Sequence, residues 1–268
     1  MNKTAVTSIL LGIVGLGLVL YGMSSINFDI DRLKGNEAVQ EHIEKYDVAE
    51  IKNLDFDLAY GEIIMSSSDQ VDQIEVKLQT NHYQDFVLST ENNVLKIEDD
   101  KNWFSDSWWN MFKDFNRQFE MEIIYPSSLV FENIDIDVSA GLIEVNNMEF
   151  NNLNTNVSAG KMRLNQIRGN SLVLKNNAGK TSIKNSIVDK IDIDVSAGEV
   201  LFDSINFNQL DFDVSAGQFT AKVDNIKEEY TIDINVSAGN SNVSNQRGTT
   251  NKYIKGDISA GNLSFEFK

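Results

Sequence analysis

The residues with the clearest chemical potential are aspartates that recur at matching positions of a repeated pattern. Asp192 and Asp194 precede one Ser-Ala-Gly triplet, and Asp211 and Asp213 precede the next, 19 residues later. If the repeats stack as parallel strands about 4.8 Å apart, these carboxylates form one uninterrupted acidic patch. The patch is either a weak site for a divalent cation or cationic ligand, or a solvated face that opposes sheet-to-sheet aggregation. We favour the solvated face and predict no specific metal site, because the glycine-dense repeat of calcium-binding β-helices is missing.

Catalytic motifs are missing from the sequence, which favours a non-enzymatic protein. The two histidines, His42 and His82, belong to no recognisable constellation, and no phosphate loop, nucleophile elbow or His-x-x-x-His motif occurs. Paired carboxylates could serve a carbohydrate-cleaving β-helix, but such an enzyme needs a cleft and one carboxyl group of altered pKa. The chain has no cysteine, which excludes thiol nucleophiles, Cys-ligated metals and a lipid-anchored cysteine. We therefore predict no catalytic residue and no cofactor, with a carbohydrate-active enzyme as the least favoured alternative.

The aspartates belong to a repeat in which an Ala-Gly pair recurs at the same position and is predicted to form a corner. Apolar and polar residues alternate on both sides of this corner, as they do in a strand with one buried face. A period near 20 residues is typical of one coil per repeat. The sequence predicts an all-β fold, a right-handed single-stranded β-helix (β-solenoid) with coils of about 19 to 22 residues. Glycine allows corner angles that a Cβ would penalise. The predicted corner glycines are Gly61, Gly141, Gly160, Gly179, Gly198, Gly217, Gly239 and Gly261.

An uncharged stretch near the N-terminus predicts a membrane anchor. Residues 5–23 carry no charge and are long enough to cross a bilayer as a helix, although a cleaved signal peptide is the competing interpretation. Lys3 precedes the stretch and Asp29 follows it, so the positive-inside rule leaves the N-terminus in the cytoplasm and the body outside. We expect a single-pass cell-membrane protein whose C-terminal domain is extracytoplasmic. Its predicted parts are a cytoplasmic N-terminus (1–4), a transmembrane anchor (5–25), a linker or stalk (26–47) with a short helix over 37–46, and the solenoid (48–268).

The predicted solenoid has an irregular part, 48–128, and regular repeats over 129–268. The distance from Gly61 to Gly141 is 80 residues, about four coils, so we expect the intervening strands to continue the same wall with irregular corners. An aromatic insertion, 102–119, interrupts this part with large side chains at helical spacing. It either covers an open side or end of the core or offers a surface to a partner or membrane. The candidate surface residues are Trp103, Phe104, Trp108, Trp109, Phe112 and Phe115.

Net charge narrows the choice of partners. A formal charge of −17 should repel nucleic acid and anionic lipid and attract cations and basic peptides. Besides the membrane, we expect an envelope protein, a cationic peptide or a cell-wall ligand as partner, and no nucleic acid. The strand-like ending Phe265-Glu266-Phe267 has no evident cap, so a homo-oligomer, or a structural solenoid that polymerises head to tail, is a further alternative.

Several of these features together resemble one bacterial family. They are the short N-terminal span, the irregular coil from Ile51 to Met65, the strand end Ile123-Ile124-Tyr125-Pro126, and Asp-Val-Ser-Ala-Gly coils to the end of the sequence. This arrangement resembles the LiaG-like "putative adhesin" proteins of the Gram-positive cell envelope over residues 48–268. The resemblance implies a membrane-anchored β-solenoid that acts as an adhesin-like or scaffolding module in the cell-envelope stress response. It carries over no catalytic residues, and the aromatic insertion matches no family pattern.

Overall fold

The computed structural model describes residues 39–80, 86–99 and 119–268. The predicted cytoplasmic segment, the anchor, the first part of the linker and all six candidate aromatic residues lie outside these ranges. In the described ranges no helix is long and apolar enough to cross a bilayer. The predictions of an anchor and of an aromatic surface therefore stay predictions.

The described chain is built almost entirely of strands, and its one helical element is a 3-10 turn, Lys227–Glu229. This confirms the all-β, solenoid-like prediction, while the right-handed sense of the coil stays a prediction. The strands are β1 (Gln40–Asp47), β2 (Asn53–Ser68), β3 (Gln73–Thr80), β4 (Phe86–Glu91), β5 (Val94–Asp99), β6 (Phe119–Pro126), β7 (Val130–Asn146), β8 (Glu149–Asn165), β9 (Arg168–Asn206), β10 (Gln209–Val223), β11 (Tyr230–Ser241) and β12 (Lys252–Phe267).

Each regular coil consists of a first arm before the Ala-Gly corner and a second arm after it. Neighbouring coils pair in parallel with corner on corner, so that Gly141 lies opposite Gly160. Gly160 has a φ of +147°, and a Cβ built on it would lie 2.1 Å from the carbonyl oxygen of Gly141. The corner therefore requires glycine both for its backbone angle and for the close approach of the next coil.

The stacking order of the coils differs from the order of the chain at two places. Gly61 of β2 lies directly opposite Gly141 of β7, and β5 and β6 pair with the other edge of β2. The strands between them belong to the same sheet, but they lie on the far side of β2 and not between β2 and β7, because the chain returns there. At the other end β12 lies between β10 and β11, so Gly261 is opposite both Gly217 and Gly239. The ending 265–267 lies beyond the last pairing of β12 with β11, and there the Asn242 side chain exchanges two hydrogen bonds with the backbone of Phe265.

The first described residues also depart from the sequence interpretation. The predicted linker 26–47, with its helix over 37–46, is wrong from Gln40 onward, because Gln40–Asp47 is strand β1. β1 pairs antiparallel with β3, and β3 pairs antiparallel with β6. Tyr46 lies opposite Ile74 and packs against the core. Pairing with β3 outweighs the weak local preference for helix, as tertiary context commonly does.

A continuous apolar core fills the space between the arms, and amide side chains join the coils outside it. Asn133 donates to the Asn53 side chain at 2.8 Å, and Asn152 donates to Asn133 at 2.9 Å. The core is interrupted by a buried polar pair, in which the Asn176 amide donates to Thr181 Oγ1 at 3.0 Å. This rigid stack fixes the positions of the outward side chains.

Candidate binding face

Two neighbouring columns of outward side chains on the first arms make up what we call the first-arm face. Their order follows the strand pairing from β5 through β2, β7, β8, β9, β10 and β12 to β11. One column contains Lys96, Asp55, Asp135, Asn154, Val173, Asp192, Asp211, Lys255 and Asp233. The other contains Glu98, Asp57, Asp137, Asn156, Lys175, Asp194, Asp213, Asp257 and Asn235.

The four aspartates singled out in the sequence lie together on this face. Asp211 pairs with Asp192, and Asp213 pairs with Asp194, on adjacent coils. The pKa of Asp192 is raised, first by partial burial and then by the carboxylates of Asp211 and Asp194. Lys175 opposes this shift. The Tyr253 hydroxyl donates to Asp211 Oδ2 at 2.9 Å, a contact that also raises the pKa of Tyr253. The acidic patch thus raises the pKa values of neighbouring groups, but these groups do not neutralise its charge.

A second acidic group lies on the same face, where the sequence predicted one patch. Asp55 and Asp57 pair with Asp135 and Asp137. Burial raises the pKa of Asp55, Lys96 opposes the shift, and Asp135 adds to it. The prediction of a single patch is wrong because β2 and β7 are direct neighbours despite their separation in sequence. The similar patterns of residues 54–61 and 134–141, each with two aspartates before the corner glycine, were the signal that could have revealed the second patch.

A shallow groove of about 440 Å³ runs over this second acidic group. Its acidic end is formed by the aspartates of β2 and β7, and its far end by Lys175. Asn154 donates to Asp135 Oδ1 at 2.8 Å, and Asn156 donates to Asp137 Oδ2 at 3.3 Å. The groove therefore offers carboxylates and amides in two rows, with the backbone at Phe56, Ile136 and Thr155 between them.

Neither acidic group has the geometry of a metal centre. Across residues 39–80, 86–99 and 119–268, no three His, Asp or Glu side chains come together closely enough to hold a metal ion. The weak metal candidates Asp192, Asp194, Asp211 and Asp213 instead form two rows on an open face. Such an arrangement attracts cations through its field rather than by coordinating one ion.

The outward side chains of the second arms, which we call the second-arm face, include several ion pairs between coils. Arg163 Nη1 donates to Glu144 Oε2 at 3.1 Å, and Lys180 Nζ donates to Glu199 Oε2 at 2.9 Å, in each case on neighbouring coils. Further pairs join Lys77 to Glu122 at 3.0 Å and Lys222 to Asp203 at 3.6 Å. Among the regular coils, negative charge is therefore largely compensated on this face, whereas it accumulates on the first-arm face.

An all-β stack of parallel coils places the chain in the class of β-solenoid-like proteins. The chain belongs to the Toastrack DUF4097 family, whose model matches residues 51–268. No curated protein matches the chain in sequence.

Several solved structures are similar to the chain. One is a "putative cell adhesion protein" from Clostridium sporogenes, with 16% identity, coverage of 86% of this chain and 100% of that chain, and a TM-score of 0.41. Another is a "putative adhesin" from Bacteroides fragilis, with 14% identity, coverage of 85% and 97%, and a TM-score of 0.45. A third is a "putative lipid binding protein" from Parabacteroides distasonis, with 15% identity, coverage of 88% and 98%, and a TM-score of 0.43.

Proposed function

We propose that the protein is a non-enzymatic binding module whose first-arm face binds a cationic peptide or a basic segment of an envelope protein. The supporting observation is the contrast between the two faces. On the regular coils, acids of the second-arm face such as Glu144 pair with a base of a neighbouring coil, whereas Asp192 lies beside Asp211 and Asp55 beside Asp135. A basic partner relieves this repulsion, so binding and removal of like-charge strain act in the same direction.

The affinity of such a face should come mainly from its electrostatic field. Most of its carboxylates are exposed, so salt screens them over a Debye length of about 8 Å at physiological ionic strength. We expect a fast, salt-sensitive association. The internal hydrogen bonds from Asn154 and Asn156 hold the carboxylates of Asp135 and Asp137 in fixed positions for the partner. The partner would lie across several coils rather than enter a pocket.

The test is a binding titration of the full chain in detergent with a fluorescent oligolysine peptide. The first-arm variant replaces Asp192, Asp194, Asp211 and Asp213 with Asn. The matched control removes the same formal charge from the second-arm face, with Gln at Glu122, Glu144 and Glu199 and Asn at Asp203. We expect the first-arm variant to lose about tenfold in affinity and the control variant much less. Equal losses would mean that net charge alone drives binding and would contradict the proposal.

We further propose that the module is held at the outer surface of the cell membrane by residues 5–25 and acts there in envelope stress, as the LiaG-like resemblance implies. The uncharged N-terminal stretch and the Lys3 to Asp29 charge asymmetry support this topology. The full-length protein should resist carbonate extraction, and protease added to intact spheroplasts should digest the solenoid. Protection of the solenoid from protease would reverse the orientation. Cells lacking the protein should become more sensitive to cationic peptides that act on the envelope.

A further inference from the structure

Among the described residues, strand β1 is the outermost strand at its end of the sheet, and one of its edges is open. β1 pairs with β3 along one side, and no other strand of the described residues pairs with its other side. An edge strand presents a row of backbone donors and acceptors that can pair with another chain. The question is which strand would fit this edge.

The outer face of β1 carries a short charged pattern around one exposed apolar residue. Tyr46 packs against the core, so the alternate residues Glu41, Ile43 and Lys45 belong to the outer face. Ile43 is 48% exposed. Lys45 lies 2.5 Å from Glu75 of β3, and its side chain is still 54% exposed, so it can meet a second carboxylate on its open side.

We propose that two copies of the chain pair antiparallel through β1 about a two-fold axis at Ile43. Opposed residues of an antiparallel pair point to the same face, and an isologous interface repeats every contact twice. In this register Ile43 opposes Ile43 of the second copy, and Glu41 opposes Lys45 in both directions. All three outer positions then meet a favourable partner.

Neighbouring registers fit less well. A shift of one copy by two residues in one direction places Glu41 opposite Asp47, which are like charges. The same shift in the other direction places Ile43 opposite Glu41 and leaves Lys45 opposite Val39. A shift of one residue would place outer side chains opposite inner ones, which an antiparallel pair does not allow. The sequence of β1 is therefore self-complementary in a single register.

A single strand pair buries less surface than a standard stable interface, so the dimer should be reversible. The inference does not depend on the cationic partner, because β1 lies outside the first-arm face. Attachment of both copies to one membrane would raise their effective concentration and favour pairing. The dimer would join two sheets into one continuous sheet across the two-fold axis.

The first experiment uses the absence of native cysteine in the full chain. Directly opposed residues of an antiparallel pair have Cα atoms about 4.5 to 5.5 Å apart, which suits a disulfide. Ile43→Cys should therefore cross-link into a dimer under mild oxidation about tenfold faster than the controls Val130→Cys and Ile187→Cys. Those two side chains are similarly exposed, at 46% and 45%, and lie away from β1. Cross-linking of Ile43→Cys no faster than the controls would overturn the proposal.

The second experiment tests the register by exchanging charges. Glu41→Lys alone and Lys45→Glu alone each place like charges opposite one another twice, so each variant should sediment as a weaker dimer or a monomer. A mixture of the two variants should associate, because each new side chain then meets an opposite charge on the other copy. Association of the mixture also shows that both variants are folded. A mixture that associates no more than its components would rule out this register, even if the membrane segment itself dimerises.

Discussion

The first-arm and second-arm faces are built on the same coils at the same spacing, yet they distribute charge in opposite ways. On the second-arm face, Glu144 is followed by Arg163 on the next coil, and Lys180 by Glu199. On the first-arm face, Asp192 is followed by Asp211. A stacked column places neighbouring side chains about 4.8 Å apart, so its charges must alternate in sign, be separated by neutral residues such as Asn154, or repel one another. Two faces of one scaffold can therefore serve stability and binding separately.

Breaking the corner that both faces share should have the largest effect. Gly198→Val adds a Cβ that would lie 2.2 Å from the Gly179 carbonyl oxygen, at a φ of +154°. The contact is with backbone, so we expect a loss of about 4 kcal/mol or more in the free energy of unfolding. Urea denaturation measures this loss, with the exposed Ala197→Ser as the control. Unchanged stability of Gly198→Val would contradict the corner geometry.

Neutralising one face at a time should change stability with opposite signs. Replacing Asp192, Asp194, Asp211 and Asp213 with Asn removes like-charge pairs and should raise the free energy of unfolding by about 1 kcal/mol at low salt. The matched second-arm variant removes attractive pairs and should lower it. High salt should shrink both changes.

A calcium site on the first-arm face would predict the opposite stability change for the same first-arm variant. A metal site would make the four Asn substitutions destabilising and would give the wild type a saturable calorimetric response to calcium. We expect no saturable response in the micromolar range.

The pH dependence of single aspartates should sharpen the same contrast. The folded-state pKa of Asp192 is raised above 3.8, mainly by burial and then by Asp211 and Asp194. The folded protein therefore binds this proton more tightly than the unfolded chain does. The resulting contribution to the free energy of unfolding is complete below the unfolded-state pKa and is lost as pH rises through the folded-state pKa. Asp192→Asn should be more stable than wild type at neutral pH, and this advantage should disappear on acidification.

Asp224 serves as the control, because its pKa is shifted in the opposite direction from that of Asp192. A hydrogen bond from Lys268 lowers its pKa, with Ser204 contributing, so its stabilisation is present above the unfolded value of 3.8 and is lost as pH falls. Asp224→Asn should be less stable than wild type at neutral pH, with the difference vanishing in acid. Urea titrations at several pH values measure both variants. Parallel behaviour of the two variants would show that the local electrostatic assignment is wrong.

The smallest expected effect belongs to a single pair on the second-arm face. Glu144→Gln removes an ion pair whose two side chains are 33% and 51% exposed. Such pairs contribute about 0.5 kcal/mol, so the unfolding midpoint should shift only slightly. A loss several times larger would mean that the second-arm pairs act as a network rather than singly.

The sequence predicts the local plan of each coil well and the order of the coils poorly. Alternation and the Ala-Gly corner indicate which side chains point outward, because both are local properties of a strand. Stacking order depends on which strand the chain pairs with after an irregular stretch. The repeat period of the sequence does not contain this information. For that reason the direct contact of β2 with β7, the inner position of β12 and the second acidic group were missed. β1 was missed because its pairing with β3 overrides a weak helical pattern.

The position of β12 between β10 and β11, out of chain order, has a consequence for the order in which the chain folds. Coils from β7 to β10 close contacts 19 residues apart, as between Arg163 and Glu144. The contact of Tyr253 with Asp211 spans 42 residues, and that of Asn133 with Asn53 spans 80. Loop-closure entropy rises with separation, so the middle coils should form first and both ends should close later. The patch around Asp192 would then exist in a partly folded chain, before Asp55 reaches Asp135.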